Sequence, residues 1–431
     1  MKVAVVGLGY VGIPVAAALA SSGVRVVGID IDAAKVEAVT AGRSPLEGEE
    51  PGLEDVIAQG VARRRLTATR DHAAAGTADV VVVSVETPID PDTKDPQYKA
   101  LKSALRSLSR HLKRGALVSI ESTIAPGTMA KVVRPILEKG SGLRVGKGLY
   151  LVHCPERVTA GKLLYNLIHL DRVIGAEDPV SLRKAIRLYS RFVQGRLHGT
   201  DWVSAEITKT AENAYRDVQI AFANEVALIC EDLGANAYRV RELVNTCPGR
   251  DMLAPGAGVG GHCIPKDPWL LVSPVIHQKP VLIPAAREVN DYMPTRMAQL
   301  VEEAMREAGR RIRGSRVAVL GFAYRENTDD ARNSPAIPLV RELRRRGADV
   351  AIHDPFAKSQ RGFTVTKDLK AAVAGADCLA LVTAHERYKR LDFAKLRRWM
   401  RHRAIVDGRN AFDGAVVKGR FVYRAIGKGE F

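Results

Sequence analysis

Residues 255–268 read Pro-Gly-Ala-Gly-Val-Gly-Gly-His-Cys-Ile-Pro-Lys-Asp-Pro. Four glycines at 256, 258, 260 and 261 bring backbone close to a ligand, because no Cβ stands in the way. Cys263 follows them. Pro265 suits the first position of a helix, so Cys263 is expected at a helix N-terminus. There the helix dipole and Lys266 would favour the thiolate, which is the reactive form of cysteine. Asp267 comes one turn later. An ordinary cysteine is a small buried hydrophobe, and that is the reading for Cys154, Cys230, Cys247 and Cys378. Cys263, among flexible glycines and charged groups, reads instead as a nucleophile.

Two further groups could serve such a nucleophile. Glu206, Lys209 and Asn213 interrupt an alanine-rich helical pattern, and Lys209 and Asn213, four apart, share a face. A lysine beside an amide makes a clamp for a developing oxyanion; a solvated stripe is the plainer alternative. His153-Cys154-Pro155-Glu156-Arg157 follows a strand signal, at the sheet edge where ligands bind in such folds. Glu156 is a candidate acid, base or substrate ligand, or an ordinary exposed glutamate.

Gly7-Leu8-Gly9-Tyr10-Val11-Gly12 supplies a cofactor signal. The spacing follows an apolar strand and opens a helix, and Asp30 ends the next strand, a context that gives the motif its meaning. Gly7 permits a tight turn. Gly9 lets backbone approach a pyrophosphate at the positive end of the helix. Gly12 allows helix and strand to pack closely. Asp30 would accept hydrogen bonds from the adenosine ribose and would repel a 2′-phosphate, so NAD is expected rather than NADP. A glycine-rich turn without a ligand is the alternative. Thr87 and Thr123 lie in loops after later strand signals and are candidates for cofactor or substrate contact.

Something must hold these groups in place. Apolar runs at 2–7, 24–29, 80–85, 117–120 and 149–153 alternate with helical patterns, which predicts a doubly wound parallel sheet. From 200 to 233, apolar residues recur at helical spacing without a proline, which predicts one long helix that bridges domains or forms a dimer core. Strand signals restart at 317–321, 349–353, 378–383 and 404–407. The second α/β region begins Gly321-Phe322-Ala323-Tyr324, without the glycine fingerprint, so a single dinucleotide site is expected. The expected architecture is α/β: two Rossmann-like doubly wound domains, 1–199 and 310–431, joined by a central helical domain, 200–309, that carries Cys263.

Composition narrows the classes. A chain of 431 residues is too long for one ordinary core. The formal charge of +17 favours anionic partners, either nucleic acid or a diphosphate-bearing small molecule. Aromatics at 5% leave little for base stacking, and the basic clusters at 63–65 and 344–346 read as solvated helix faces. Five cysteines without a CxxC spacing argue against a disulfide framework or a structural zinc and fit a reducing cytoplasm. Residues 11–20 mimic a signal peptide, but the glycine turn they continue and the strand that follows fit a buried βαβ unit better. No apolar run reaches the roughly 20 residues that span a bilayer.

Taken together, the motifs resemble the UDP-glucose/GDP-mannose dehydrogenase family along nearly the whole chain. They are residues 5–12, the loop 122–128, Cys154-Pro155-Glu156, Lys209 with Asn213, residues 260–267, and residues 321–335. The resemblance implies an NAD-binding domain, a helical dimer core and a UDP-binding domain, with Cys263 as nucleophile and no metal. It implies active-site roles for Thr123, Glu156, Lys209, Asn213 and Asp267. It places Tyr10, Val11, Lys35, Lys266 and Arg332 toward the cofactor. Arg157, Arg250, Gly260, Gly261, Tyr324 and Arg325 fall toward the substrate, and the alignment of Arg250 is loose. Two departures stand out: Val85-Glu86-Thr87-Pro88 replaces the family's common Val-Pro-Thr-Pro, and Arg325 replaces a common lysine. The Gly-Val-Gly-Gly-His-Cys run resembles the branch that acts on UDP-N-acetylhexosamines, which implies UDP-N-acetylmannosamine first, then UDP-N-acetylglucosamine, then UDP-glucose. A cytoplasmic homodimer without nucleic-acid or membrane partners is the expected assembly.

Two other readings stay open at this stage. A two-electron hydroxyacid dehydrogenase would not need Cys263 and would lack the second α/β domain. A nucleic-acid-binding protein would use the charge but leave the glycine fingerprint without a purpose.

Overall fold

The computed structural model describes residues 1–429 apart from 47, 49 and 160; the last two residues of the expected third domain, 430 and 431, lie outside the described residues. The chain divides into two compact units, one of Met1–Glu212 with Trp269–Lys279, the other of Asn213–Pro268 with Pro280–Phe431.

The first unit is built on β1 (Lys2–Val6), β2 (Arg25–Ile29), β3 (Leu66–Thr69), β4 (Val80–Val83), β5 (Leu117–Ile120), β6 (Arg144–Val145), β7 (Gly148–His153), β8 (Arg172–Ala176) and β9 (Leu197–Thr200). Their order is β3-β2-β1-β4-β5-β7-β8-β9, with β6 beside β7. All pairs are parallel except β7 with β8, where the sequence reading had a parallel sheet throughout. The apolar runs of β1, β4 and β5 follow from burial on both faces. Val3 and Val5 enter one core with helix Gly12–Ser21, while Ala4 and Val6 enter another with helix Lys99–Ser109.

In the second unit, β10 (Arg316–Leu320), β11 (Asp349–His353), β12 (Val365–Thr366), β13 (Cys378–Leu381), β14 (Ala404–Asp407) and β15 (Val422–Ala425) form a wholly parallel sheet ordered β12-β11-β10-β13-β14-β15. The same alternation applies. Val317 and Val319 meet helix Leu282–Glu307 through Met297, Val301 and Ala304, and Ala318 and Leu320 fill the opposite face. Helix Trp202–Asp232 runs unbroken for 31 residues. No helix among the described residues is long and apolar enough to cross a membrane.

Candidate active site

The glycine turn after β1 has the shape its spacing implied. Gly7 adopts a positive φ of 92°, and a Cβ there would lie 2.3 Å from Ser84 O. A Cβ on Gly12 would lie 1.8 Å from Gly7 O, whereas one on Gly9 would meet nothing within 4 Å. The protein therefore fills the space around Gly7 and Gly12 and leaves Gly9 facing open space. No side chain caps the first turn of helix Gly12–Ser21; Ile13 N and Val15 N turn back onto Gly9 O and Val11 O, and the positive end of the helix favours an anion beside Gly9, as a dinucleotide pyrophosphate requires. Tyr10 and Val11 lie half-buried in this turn. Asp30 closes the site from β2: its Oδ2 accepts from Leu8 N at 2.7 Å, its Oδ1 accepts from Asp32 N, and Lys35 Nζ stands 3.9 Å away. These residues fit NAD.

Thr87 donates its hydroxyl to Thr123 O, tying together the loops after β4 and β5. The Thr123 loop is further held by Glu206, whose carboxylate accepts from Gly127 N at 2.6 Å and Met129 N at 2.7 Å. Burial pushes the Glu206 carboxyl up to about 7. Glu156 is buried beyond β7, accepts from Val158 N, and has Lys209 Nζ 3.9 Å from its other oxygen. Neither Glu156 nor Lys209 is a solvated surface group. Arg157 pairs with Glu212 and donates to Asp171 O. Cys154, two residues before Glu156, is inert: burial pushes its thiol up to about 11. Cys230 and Cys378 are also buried, but Cys247 is exposed, against the expectation of a buried hydrophobe. Its segment follows helix Ala237–Val244 as an open turn, where a side chain has no core to enter.

In the second unit, Cys263 is half-buried in a bend, one turn ahead of a short helix rather than at the helix N-terminus that Pro265 suggested. Its carbonyl accepts from Lys266 N and Asp267 N, and the helix runs only over Asp267–Val272. The thiol precedes the helix by one turn because residues 264–266 form that turn first. Asp267 is fully buried, with Asn213 Nδ2 on one oxygen and Lys266 Nζ on the other. Lys266, expected toward the cofactor, is held in this ion pair. His262 Nδ1 lies 4.0 Å from the Cys263 sulfur. Burial first, and then the charges of Lys266 and Arg332, push His262 down to about 4, so it stays neutral.

Gly260 and Gly261 press on Tyr324: a Cβ on Gly260 would lie 2.4 Å from Tyr324 Cβ. Gly261 N donates to Arg332 O, and Asn333 Nδ2 donates to Gly261 O, which zips the glycine loop to the segment after β10. Burial, with the charge of Asp330, raises the Tyr324 phenol, and Cys263 adds to that shift. Arg325 is half-buried beside it. Arg332, also expected toward the cofactor, grips Asp330 through Nε and Nη2. Arg250 is exposed and donates to Pro248 O; among the described residues no hydrogen bond or ion pair joins it to the Cys263 loop. No cluster of His, Cys, Asp and Glu among the described residues could hold a metal ion.

Three family models match in chain order: the UDP-glucose/GDP-mannose dehydrogenase family NAD binding domain over residues 1–193, its central domain over 203–292, and its UDP binding domain over 318–414. The chain belongs to the UDP-glucose/GDP-mannose dehydrogenase family. It is an NAD-binding nucleotide-sugar dehydrogenase. A UDP-N-acetyl-D-mannosamine dehydrogenase of Pyrococcus horikoshii is 38% identical, with both chains covered completely. The solved structure of the UDP-D-ManNAc dehydrogenase from that organism matches with a TM-score of 0.94 at 38% identity, covering all of both chains. An NDP-N-acetyl-D-galactosaminuronic acid dehydrogenase from Methanosarcina mazei Go1 matches with a TM-score of 0.89 at 37% identity, over 99% of this chain and 95% of that one.

Some groups that shape this dehydrogenase were not singled out from its sequence. Arg409 follows β14 at the carboxyl edge, is half-buried, and donates from Nε to Val382 O and from Nη2 to Gly258 O, pinning the glycine loop to the second sheet. Its place in Asp407-Gly408-Arg409, just past a strand, was the available signal. Asp354 follows β11 as Asp30 follows β2, yet it accepts from Phe322 N, Ala323 N, Phe356 N and Ala357 N and pairs with His385. Although burial opposes ionisation, His385 and the Ala323 N–H hold Asp354 well below the usual carboxylate range. That carboxylate is spent on bracing the turn, which fits a single dinucleotide site, in the first unit.

Proposed function

We propose that this dehydrogenase oxidises the C6 alcohol of a UDP-N-acetylhexosamine, UDP-N-acetylmannosamine above all, to the uronate through a thioester on Cys263. The observation that carries the reading is the setting of Cys263: a half-buried thiol after a glycine-lined backbone, one turn from a buried Asp267 that is held by Asn213 and Lys266. The names of the relatives from Pyrococcus and Methanosarcina support an N-acetylated sugar. UDP-N-acetylglucosamine and UDP-glucose are the runners-up.

Gly7, Gly9, Gly12 and Asp30 would hold NAD, which would supply the hydride acceptor, twice per substrate. Converting an alcohol to a carboxylate releases two hydrides and takes up one water. An aldehyde gives up hydride only after a nucleophile has added, and the Cys263 thiolate is that nucleophile. The carbon–sulfur bond formed on addition persists in the thioester and breaks when water attacks. Lys209 and Asn213, four apart on helix Trp202–Asp232, steady the negative oxygen, an effect of about 2.7–4 kcal/mol per donor. Glu156 and Asp267 manage the alcohol proton and the attacking water. Thr123, held by Thr87 and Glu206, orients substrate or cofactor. Tyr324 and Arg325 bind the nucleotide sugar, with Gly260 and Gly261 allowing its close approach. Lys266 and Arg332 act by holding Asp267 and Asp330.

Val203, Ile207, Tyr215, Phe222, Ile229 and Leu233 are exposed on or just past the long helix and recur on one side of it, which supports a homodimer built on this face. The proposed division is a cofactor part, 1–199, a helical dimer part, 200–309, and a nucleotide-sugar part, 310–431. Incubation of the pure dehydrogenase with NAD and a panel of UDP- and GDP-sugars tests the substrate. Highest kcat/KM on UDP-N-acetylmannosamine, with two NADH per sugar, supports the reading; preference for UDP-glucose or a single NADH overturns it.

A further inference from the structure

Four arginines line one concavity of the second unit, and among the described residues no carboxylate forms an ion pair with them. The cavity, about 590 Å³, is bounded by Ala394, Arg397, Arg398, Arg403 and Arg420. Arg397 and Arg398 leave the last turn of helix Phe393–Trp399. Arg403 immediately precedes β14, and Arg420 stands two residues before β15. These strands pair in parallel, with Ala404 beside Val422, so their amino ends carry Arg403 and Arg420 to one edge of the sheet.

Several other guanidinium groups of this chain are matched by acids. Arg345 and Arg346 pair with Glu342, Arg296 with Glu231 and Glu303, Arg401 with Asp377, and Arg424 with Glu307. None of the four lining arginines has an ion pair or a side-chain hydrogen bond among the described residues. The nearby Asp392 spends Oδ1 on Ala394 N and Lys395 N, its Oδ2 faces Lys395 at 3.8 Å, and Arg398 reaches it only through space. Arg397 and Arg398 suit the negative end of their helix, and Arg420 stands two residues past helix Gly414–Lys418, but Arg403, just before β14, has no such local role. Four like charges around a hollow repel one another, and an anion with several charges relieves that repulsion.

We propose that this concavity binds a compact oligophosphate anion, such as tripolyphosphate or the triphosphate tail of a nucleotide. Guanidinium forks match phosphate oxygens in paired hydrogen bonds, and several converging forks select for clustered charge over a single phosphate. The site is distinct from the proposed nucleotide-sugar groups: Tyr324 and Arg325 follow the carboxyl end of β10, whereas the four arginines gather at the amino ends of β14 and β15. It also gives part of the chain's +17 charge a ligand.

Calorimetric titration of tripolyphosphate into the full-length dehydrogenase, saturated with NAD and UDP to fill its other phosphate sites, tests this. The expected result is a saturable site in the wild type. Arg403→Ser/Arg420→Ser should bind at least about ten-fold more weakly, since charge-assisted hydrogen bonds are lost, with kcat unchanged as proof of folding. Unchanged affinity in that variant, or no binding once NAD and UDP are present, overturns the proposal. Tighter binding of a single-stranded oligonucleotide than of tripolyphosphate also overturns it, in favour of a nucleic-acid surface.

Discussion

Asn213 Nδ2 stands 2.5 Å from Asp267 Oδ2, and Lys266 Nζ stands 2.5 Å from the other oxygen of the same carboxylate. Asp267 is thus a buried anion shared by an amide and an ammonium. Replacing Asp267 with Asn removes the charge that makes burial of Lys266 tolerable, at a cost of about 3–5 kcal/mol. Urea unfolding should show a midpoint well below that of the wild type. Wild-type stability in Asp267→Asn would mean that Lys266 finds water or another partner.

His262 is neutral at working pH, because burial and two nearby cations push it down to about 4. Cys263 therefore does not draw its reactivity from an imidazolium partner. Alkylation of Cys263 by iodoacetamide should show no inflection near the ordinary histidine value of about 6.5, and His262→Gln should leave the profile in place. On stability the sign follows from the depressed value. The folded state binds fewer protons than the unfolded chain between about 4 and about 6.5, so this group's contribution is present above that window and is lost as pH falls through it.

Glu206 behaves in the opposite sense. Its carboxyl, raised to about 7 by burial, is protonated in the fold while the unfolded chain is already ionised. Stability should therefore fall as pH rises from about 4.5 to about 7. Glu206→Gln should flatten that slope. Because Glu206 holds Gly127 N and Met129 N, the variant should also raise KM more than it lowers kcat. An unchanged slope would show that Glu206 is ionised throughout.

The glycines of the first turn separate fold from binding. A Cβ on Gly12 collides with Gly7 O at 1.8 Å, so Gly12→Ala should destabilise the first unit. A Cβ on Gly9 meets no protein atom within 4 Å, so Gly9→Ala should melt like the wild type yet bind NAD more weakly. Melting curves together with NAD fluorescence titration check the pair. Full NAD affinity in Gly9→Ala would remove the pyrophosphate from that face.

Much of this was legible in the residues. The runs in β1, β4 and β5 are apolar but for Lys2 and Ser119 because both faces are covered, and that signal survives without context. The glycine turn and Asp30 were legible because their spacing is fixed by backbone geometry. β8 and β9 were not: Arg172-Val-Ile-Gly-Ala and Leu197-His-Gly-Thr are short, polar or glycine-bearing, and β8 turns antiparallel. Arg172 is buried there with Glu121, just past β5, answering it at 3.2 Å. The Lys266–Asp267 pair was hidden for a related reason: adjacent charges in sequence read as solvated until a fold buries them. Arg332 with Asp330, two apart, was hidden in the same way.

The central claim rests on the sulfur of Cys263. Cys263→Ser, mixed with NAD and UDP-N-acetylmannosamine, should give no uronate in a single-turnover mass measurement, whereas the wild type should give uronate with two NADH and a transient adduct of the sugar on Cys263. Uronate formed by the serine variant at the wild-type rate would contradict covalent catalysis at this residue.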